Sequence, residues 1–276
     1  MNIAGISVSA PGKSSTQAHA GLGRQLQEVL TRAADAATDN GKRGLVLFVD
    51  EIQSADPDGL RALAYAWQHM QSENPDVPLL ALTAGLSHSQ DVITDAVSFA
   101  ERFHYVHLNN LDPEASELAL VQPAHGRGVT WSVAALERAL GVARGYPFFL
   151  QLIGDLAWRA AEDPDPGKCI EDEHVAEAVD EFHISRDDFF RSRWMKATDR
   201  EIAVIVAMSA LALQTEDPDE ALLKRGDIAA EMGVNTSAIS MARRSLMDKG
   251  LIEAPEFGKL SFTAPGFAEF VNRTAQ

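Results

Sequence analysis

The sequence predicts an α/β protein in three parts: a core of parallel strands and helices over residues 1–110, an all-helical stretch over 111–185, and a small terminal domain over 186–276. Leu45–Val49 and Leu79–Thr83 are unbroken runs of strand length, and the residues between them repeat their apolar positions at helical spacing. From Leu111 onward the periodicity is helical only. Near the end, two helical segments at a tight turn precede a hairpin signal, which sets a separate unit apart.

Residues 1–20 are polar, small and without periodicity. A helix is expected over 22–37, where Leu22, Leu26, Val29, Leu30 and Ala33 share one face and Gly41 closes the run. The apolar run at 45–49 suits a strand covered on both faces, as in a parallel sheet flanked by helices. Asp56-Pro57 opens the next helix, with Asp as cap and Pro at its first position. After the second strand, a short helix is expected over 91–102 and a weaker third strand over 104–108. Strand, helix, strand, helix, strand is the order of an α/β layer. Asp112-Pro113 then caps one helix, Ser132 begins another, Gly145-Tyr146-Pro147 breaks into a third, and a fourth fits 171–182.

In the terminal part, Thr198 and Glu201 make a capping box, and 216–220 reads as a solvated acidic loop. Helices fit 226–232 and 236–249, and strand pieces at 251–252 and 260–263 flank a turn. Helix, turn, helix and hairpin read as a winged helix.

The 276 residues are 46% apolar and 23% charged, ordinary for a soluble chain of about two domains. No apolar run reaches the roughly 20 residues of a membrane-spanning helix. The start lacks a basic segment ahead of a long apolar stretch, so a cytoplasmic protein is expected. The lone Cys169 excludes an internal disulfide and a cysteine-rich zinc site. His69, His88, His104, His107 and His125 lack metal-ligand spacing. The net charge of −16 is uneven: residues 1–185 carry 12 basic and 26 acidic groups, and 186–276 carry 12 and 14. The first part repels a polyanion, so any nucleic-acid contact belongs to the second.

Asp50 and Glu51 follow the first strand directly, and ligands of open α/β sheets sit at the carboxyl ends of strands. Magnesium on nucleotide phosphates keeps several waters and needs a carboxylate, a role that fits Asp50. Glu51 is suited to orient and deprotonate a water attacking the γ-phosphate. The other reading is a pair of surface acids opening a loop.

LVLFVDEIQ, LLALTAGL, AERF, ARGYPFFLQLIGDLAW and the terminal winged helix occur in an order that resembles the AAA+ ATPases. The nearest branch is the prokaryotic one that joins an origin-recognition-like ATPase module to a winged helix. The resemblance runs from about Gly21 to the end. It implies a P-loop-NTPase-like core, a helical lid, ATP and Mg2+ as ligands, and assembly as a homo-oligomer.

By the same resemblance, Asp50 and Glu51 match the Walker B acids, and Thr83 the sensor position near the γ-phosphate. Arg102 sits where the family places an arginine finger for a neighbouring subunit's nucleotide. Gly145 and Pro147 resemble the glycine-any-proline signature of the related signal-transduction (STAND) NTPases, in the lid near the adenine. Some AAA+ members carry an arginine sensor on this helix; here Arg144 is adjacent. Thr83 and Arg102 also read as a strand-end threonine and a surface arginine, and a helix junction alone calls for Gly and Pro.

A phosphate cradle needs G-x-x-x-x-G-K-[ST] between a strand and a helix. Gly12-Lys13-Ser14 supplies only the second half, since Ser7 stands where the first glycine belongs. The core is therefore expected to be incomplete, its central strand and next helix lying upstream of Met1 and leaving an open sheet edge. In the terminal domain, 236–249 is the expected recognition helix, with Ile239, Ala242 and Leu246 inward and Arg243, Arg244 and Lys249 available to phosphates. Glu253 and Glu256 flank the wing, so DNA and an unknown protein both stand as partners. The expected function is an AAA+-type ATPase switch coupled to a winged helix. The alternative is a non-hydrolysing DNA- or protein-binding adaptor on a remnant ATPase core.

Overall fold

The computed structural model describes residues 2–3, 6–7 and 15–275, with side chains from residue 21 onward. It divides into two units, Met1–Val106 and His107–Gln276. Among the described residues, no helix is long and apolar enough to cross a membrane.

In the first unit, β1 (Asn2–Ile3) pairs antiparallel with β2 (Ile6–Ser7). Helix α1 (Ser15–Asp39) begins well before the expected residue 22 and carries Gly21 and Gly23 inside it. Glycine weakens a helix, but at Gly23 it serves packing against α2 (Pro57–Glu73). A Cβ at Gly23 would lie 2.9 Å from Tyr65 Cβ, and the facing Ala62 and Ala66 of α2 are buried. Arg24 joins the same pair of helices through Glu73 at 2.6 Å. Asp56 caps α2 as expected, accepting from Asp58 N and Gly59 N.

Strands β3 (Leu45–Val49) and β4 (Leu79–Thr83) are parallel, from Leu45 opposite Leu79 to Val49 opposite Thr83. Only one face is covered. Val46, Phe48, Leu80 and Leu82 stay 61%, 60%, 50% and 46% exposed, because successive side chains point to opposite faces and no described layer lies over the second. Both-sided burial, the sequence expectation, is therefore corrected. Helix α3 (Ser89–Ala96) is shorter than expected and is followed by a 3-10 turn at Ala100–Arg102. Residues 104–108 form no strand. A strand requires a hydrogen-bonding neighbour, and among the described residues β4 pairs only with β3.

The second unit opens with α4 (Pro113–His125), α5 (Val133–Ala143), α6 (Pro147–Ala160) and α7 (Asp172–Trp194). Asp112 caps α4 through Ala115 N at 2.7 Å, and Ser132 caps α5 through Ala135 N at 3.4 Å. Two short strands that no sequence signal announces, β5 (Thr130–Trp131) and β6 (Cys169–Ile170), pair in parallel. Helix α7 runs past the expected end at 182, since neither Gly nor Pro interrupts 172–194 and Phe190 near its end is buried.

Then follow α8 (Asp199–Ala212), β7 (Leu223–Lys224), α9 (Arg225–Glu231), a 3-10 turn at Thr236–Ile239, α10 (Ser240–Asp248), β8 (Ile252–Glu253), β9 (Lys259–Phe262) and α11 (Phe267–Thr274). The three strands form one antiparallel sheet in the order β7-β9-β8. β7 and α11 are additions to the expected elements.

One core runs through this unit. The Phe149 ring of α6 lies 5.6 Å from Phe182 and 6.0 Å from Phe190 of α7. Phe190 in turn lies 5.0 Å from Phe267 and 5.4 Å from Phe270 of α11. The 216–220 loop is not simply solvated. Arg144, at the end of α5, pairs with Asp217 and, at 3.0 Å, with Asp219. Asp219 also accepts from Gly266 N at 2.7 Å. Burial pushes the Asp219 carboxyl up, against the Gly266 N–H and Arg144.

The capping box of α8 forms as expected, with Thr198 N donating to Glu201 Oε2 at 2.6 Å. Glu201 is 3% exposed and also receives Lys249 Nζ at 2.7 Å. Lys249 donates further to Lys196 O, so it is committed to the fold and not to phosphates. Burial raises the Glu201 carboxyl, but hydrogen bonds from Lys249, Ser245 and Thr198 outweigh it and hold the group at about 2, below the ordinary 4.5. Its stabilisation is therefore full above pH 4.5 and drains away as the pH falls toward 2. Glu201→Ala should cost about 3 kcal/mol at neutral pH, the scale of a broken buried pair. Denaturant unfolding of both proteins down the pH scale checks this: the difference should shrink in acid, and a pH-independent gap would contradict the assignment.

Candidate functional site

The parallel register brings Asp50, Glu51 and Thr83 to one end of the β3–β4 pair. Val49 O accepts from Ala84 N at 2.9 Å, and Ile52 N donates to Ala84 O at 3.0 Å, so the ladder continues one step past the strands. Asp50, Glu51 and Thr83 are all exposed. The chain turns at Glu51, whose backbone is left-handed (φ 52, ψ 43), a region that costs a side-chain-bearing residue about 1 kcal/mol or more. Glu51 N donates to Asp50 Oδ1 at 2.9 Å. A 3-10 turn at Ile52–Ser54 follows, anchored by the buried Ile52.

Sequence reasoning assigned no role to Gln53, Gly85 or Ser89, which complete this end. Gln53 Nε2 donates to Glu51 Oε2. Its Oε1 accepts from Leu86 N at 3.2 Å and lies 3.4 Å from Ser89 Oγ. At Gly85 a Cβ would come within 2.4 Å of both Gln53 Oε1 and Ser89 Oγ. The available signal was a glycine two residues past the end of a strand, in a loop facing the DEIQ motif.

Asp50 and Glu51 offer two adjacent exposed carboxylates at this end, a donor set that would suit a hard cation keeping most of its waters. Among the described residues, no cluster of three or more His, Cys, Asp or Glu offers a full protein cage. Gly12-Lys13-Ser14 lies outside the described residues.

The remaining candidates lie on other elements. Arg102 is exposed on the 3-10 turn at Ala100–Arg102, and among the described residues no hydrogen bond or ion pair joins its side chain to Asp50 or Glu51. Gly145 is left-handed (φ 74), and a Cβ there would lie 2.4 Å from Leu111 O, so the fold itself demands this glycine. Pro147 is the first residue of α6. On α10, Ala242 and Leu246 are buried, as is Ile239 just before it. Arg243 is half-buried, with Nη1 3.6 Å from Met247 Sδ, while Arg244 is exposed.

Residues 187–271 match a family described as a domain of unknown function, DUF8462. No curated protein matches the chain. Among solved structures, it is similar to a point mutant of Thermotoga maritima RuvB at 14% identity, covering 79% of this chain and 67% of that one, with a TM-score of 0.44. It is likewise similar to the Thermotoga maritima RuvB Holliday junction branch migration motor at 16% identity, covering 92% and 82%, with a TM-score of 0.43. A likeness this distant carries no argument about activity.

The two kinds of glycine give a paired test. Gly85→Ala should destabilise by about 1–3 kcal/mol, the usual cost of overpacking, because its Cβ displaces Gln53 and Ser89. Gly21→Ala, with nothing within 4 Å of the new Cβ, should instead stabilise by about 0.5–1 kcal/mol. Denaturant midpoints of the two variants should move in opposite directions; equal shifts would refute the close packing at Gly85.

Proposed function

We propose that the protein is a nucleotide-dependent switch of the AAA+ ATPase type. Its core at 1–110 acts through a helical lid at 111–185 on a winged helix at 186–276. The observation that carries this reading is the emergence of Asp50 and Glu51 together at the carboxyl end of β3, beside Thr83 of the parallel β4. Asp50 holds Mg2+ through water, Glu51 prepares the attacking water, and Thr83 contacts the γ-phosphate region of ATP. Gly145 and Pro147 shape the lid beside the base. Arg102, exposed on its turn, serves the nucleotide of a neighbouring copy in a homo-oligomer.

Hydrolysis of Mg-ATP by the whole protein tests the reading. Glu51→Gln should lower turnover by about 100-fold or more, the range of general-base catalysis, with nucleotide affinity retained. Unchanged turnover would remove Glu51 from this role. Calorimetry with Mg-ATP locates the phosphate cradle: micromolar binding lost in Lys13→Ala would assign it to Gly12-Lys13-Ser14, and weak binding would reject that loop.

A second reading, the non-hydrolysing adaptor, is favoured by the charges of the terminal domain. Lys249 is bound to Glu201, and Lys259 of the wing pairs with Glu256 at 2.7 Å. With these two cations neutralised and acidic residues in excess, 14 to 12, the domain suits a protein partner better than a polyanion. If DNA is the partner, Arg243 and Arg244 are the contacts, and Arg244→Glu should weaken binding about tenfold, as expected for reversing a phosphate contact. Gel shifts of the full chain decide: no binding by either form leaves a protein as the partner of α10.

A further inference from the structure

We propose that Gln53 is a positioning residue for Glu51, tying its carboxylate to the loop that follows β4. The inference rests on the ATPase reading of Asp50 and Glu51. Gln53 spends its amide at both ends: Nε2 donates to Glu51 Oε2, and Oε1 accepts from Leu86 N at 3.2 Å with Ser89 Oγ 3.4 Å away. These partners fix which way the amide faces, because a backbone N–H needs the oxygen and a carboxylate needs the NH2.

Two features make the tie a built one. Glu51 is left-handed, so the direction of β3 does not aim its side chain, and its placement falls to whatever holds the carboxylate. Gly85 permits the close approach, since a Cβ there would lie 2.4 Å from both Gln53 Oε1 and Ser89 Oγ, so the space beside it is already taken by the tie. The loop is in turn fixed by Ser89 Oγ donating to Leu86 O at 2.6 Å. Because the loop follows Thr83 directly, a ligand that displaces it moves Glu51 through one amide.

Gln53→Glu separates positioning from folding. It keeps an oxygen for Leu86 N and Ser89 but replaces the donor facing Glu51 with a second carboxylate; Gln53→Leu removes both. Gln53→Glu should lower kcat for ATP hydrolysis by about 10- to 100-fold, the scale of a misplaced catalytic group. KM should stay within about twofold, and the unfolding midpoint should stay near wild type. Gln53→Leu should show the same kcat loss with a lower midpoint. Full turnover in Gln53→Glu overturns the proposal.

A second arm needs no hydrolysis. With glutamines labelled by 15N, the Gln53 side-chain NH2 resonances, assigned by their loss in Gln53→Leu, should shift in Glu51→Ala. An unmoved signal breaks the tie. A shift in a protein that hydrolyses no ATP upholds the tie and rejects the ATPase reading.

Discussion

Phe190 touches both halves of the second unit. On α7 it meets Phe149 of α6 on one side and Phe267 and Phe270 of α11 on the other, and it is 1% exposed. Each such ring pair contributes about 0.5–1.5 kcal/mol beyond its buried area. The helices before α7 and the small sheet after it therefore share one interior. The connection needs α7 to run uninterrupted from its start beside Glu171, whose backbone N–H donates to His174 Nδ1, to Trp194. Ile205, Met208, Leu246 and Val271 then extend the same interior into the last helices.

Much of this was legible in the sequence where the cause is local. Asp56, Asp112, Ser132 and Thr198 are caps because their short side chains reach free N–H groups within three residues, and such spacing can be read directly. Ile239, Ala242 and Leu246 face inward because three- and four-residue spacing fixes one side of a helix. Failures came where the cause lies far along the chain. Residues 104–108 look extended, but a strand exists only beside a partner. Gly23 argues against a helix until α2 lies against it. Lys249 looks like a surface cation until it meets Glu201, distant in sequence and buried.

The candidate site divides in the same way. Asp50 and Glu51 stand out after an apolar run, and Thr83 joins them once β3 and β4 pair in register. Gln53 sits within the same run of letters yet gains meaning only from Gly85 and Ser89, which reach it across the parallel ladder. The uncovered face of Val46, Phe48, Leu80 and Leu82 was hidden for a related reason. An apolar run announces that side chains avoid water, not how many layers lie over them.

Arg144 holds a left-handed backbone (φ 49) and grips Asp217 and Asp219 in a chain of net charge −16. Dissolved ions act unequally on these two kinds of electrostatics. At physiological ionic strength a charge is felt over only about 8 Å in solvent, so the mutual repulsion of carboxylates spread over the surface is damped first. The Arg144–Asp219 contact spans 3.0 Å, with Asp219 11% and Arg144 41% exposed, so it is screened less than charges that stand a Debye length apart in solvent. Added salt is therefore expected to damp the repulsion between scattered carboxylates more than it weakens this clasp.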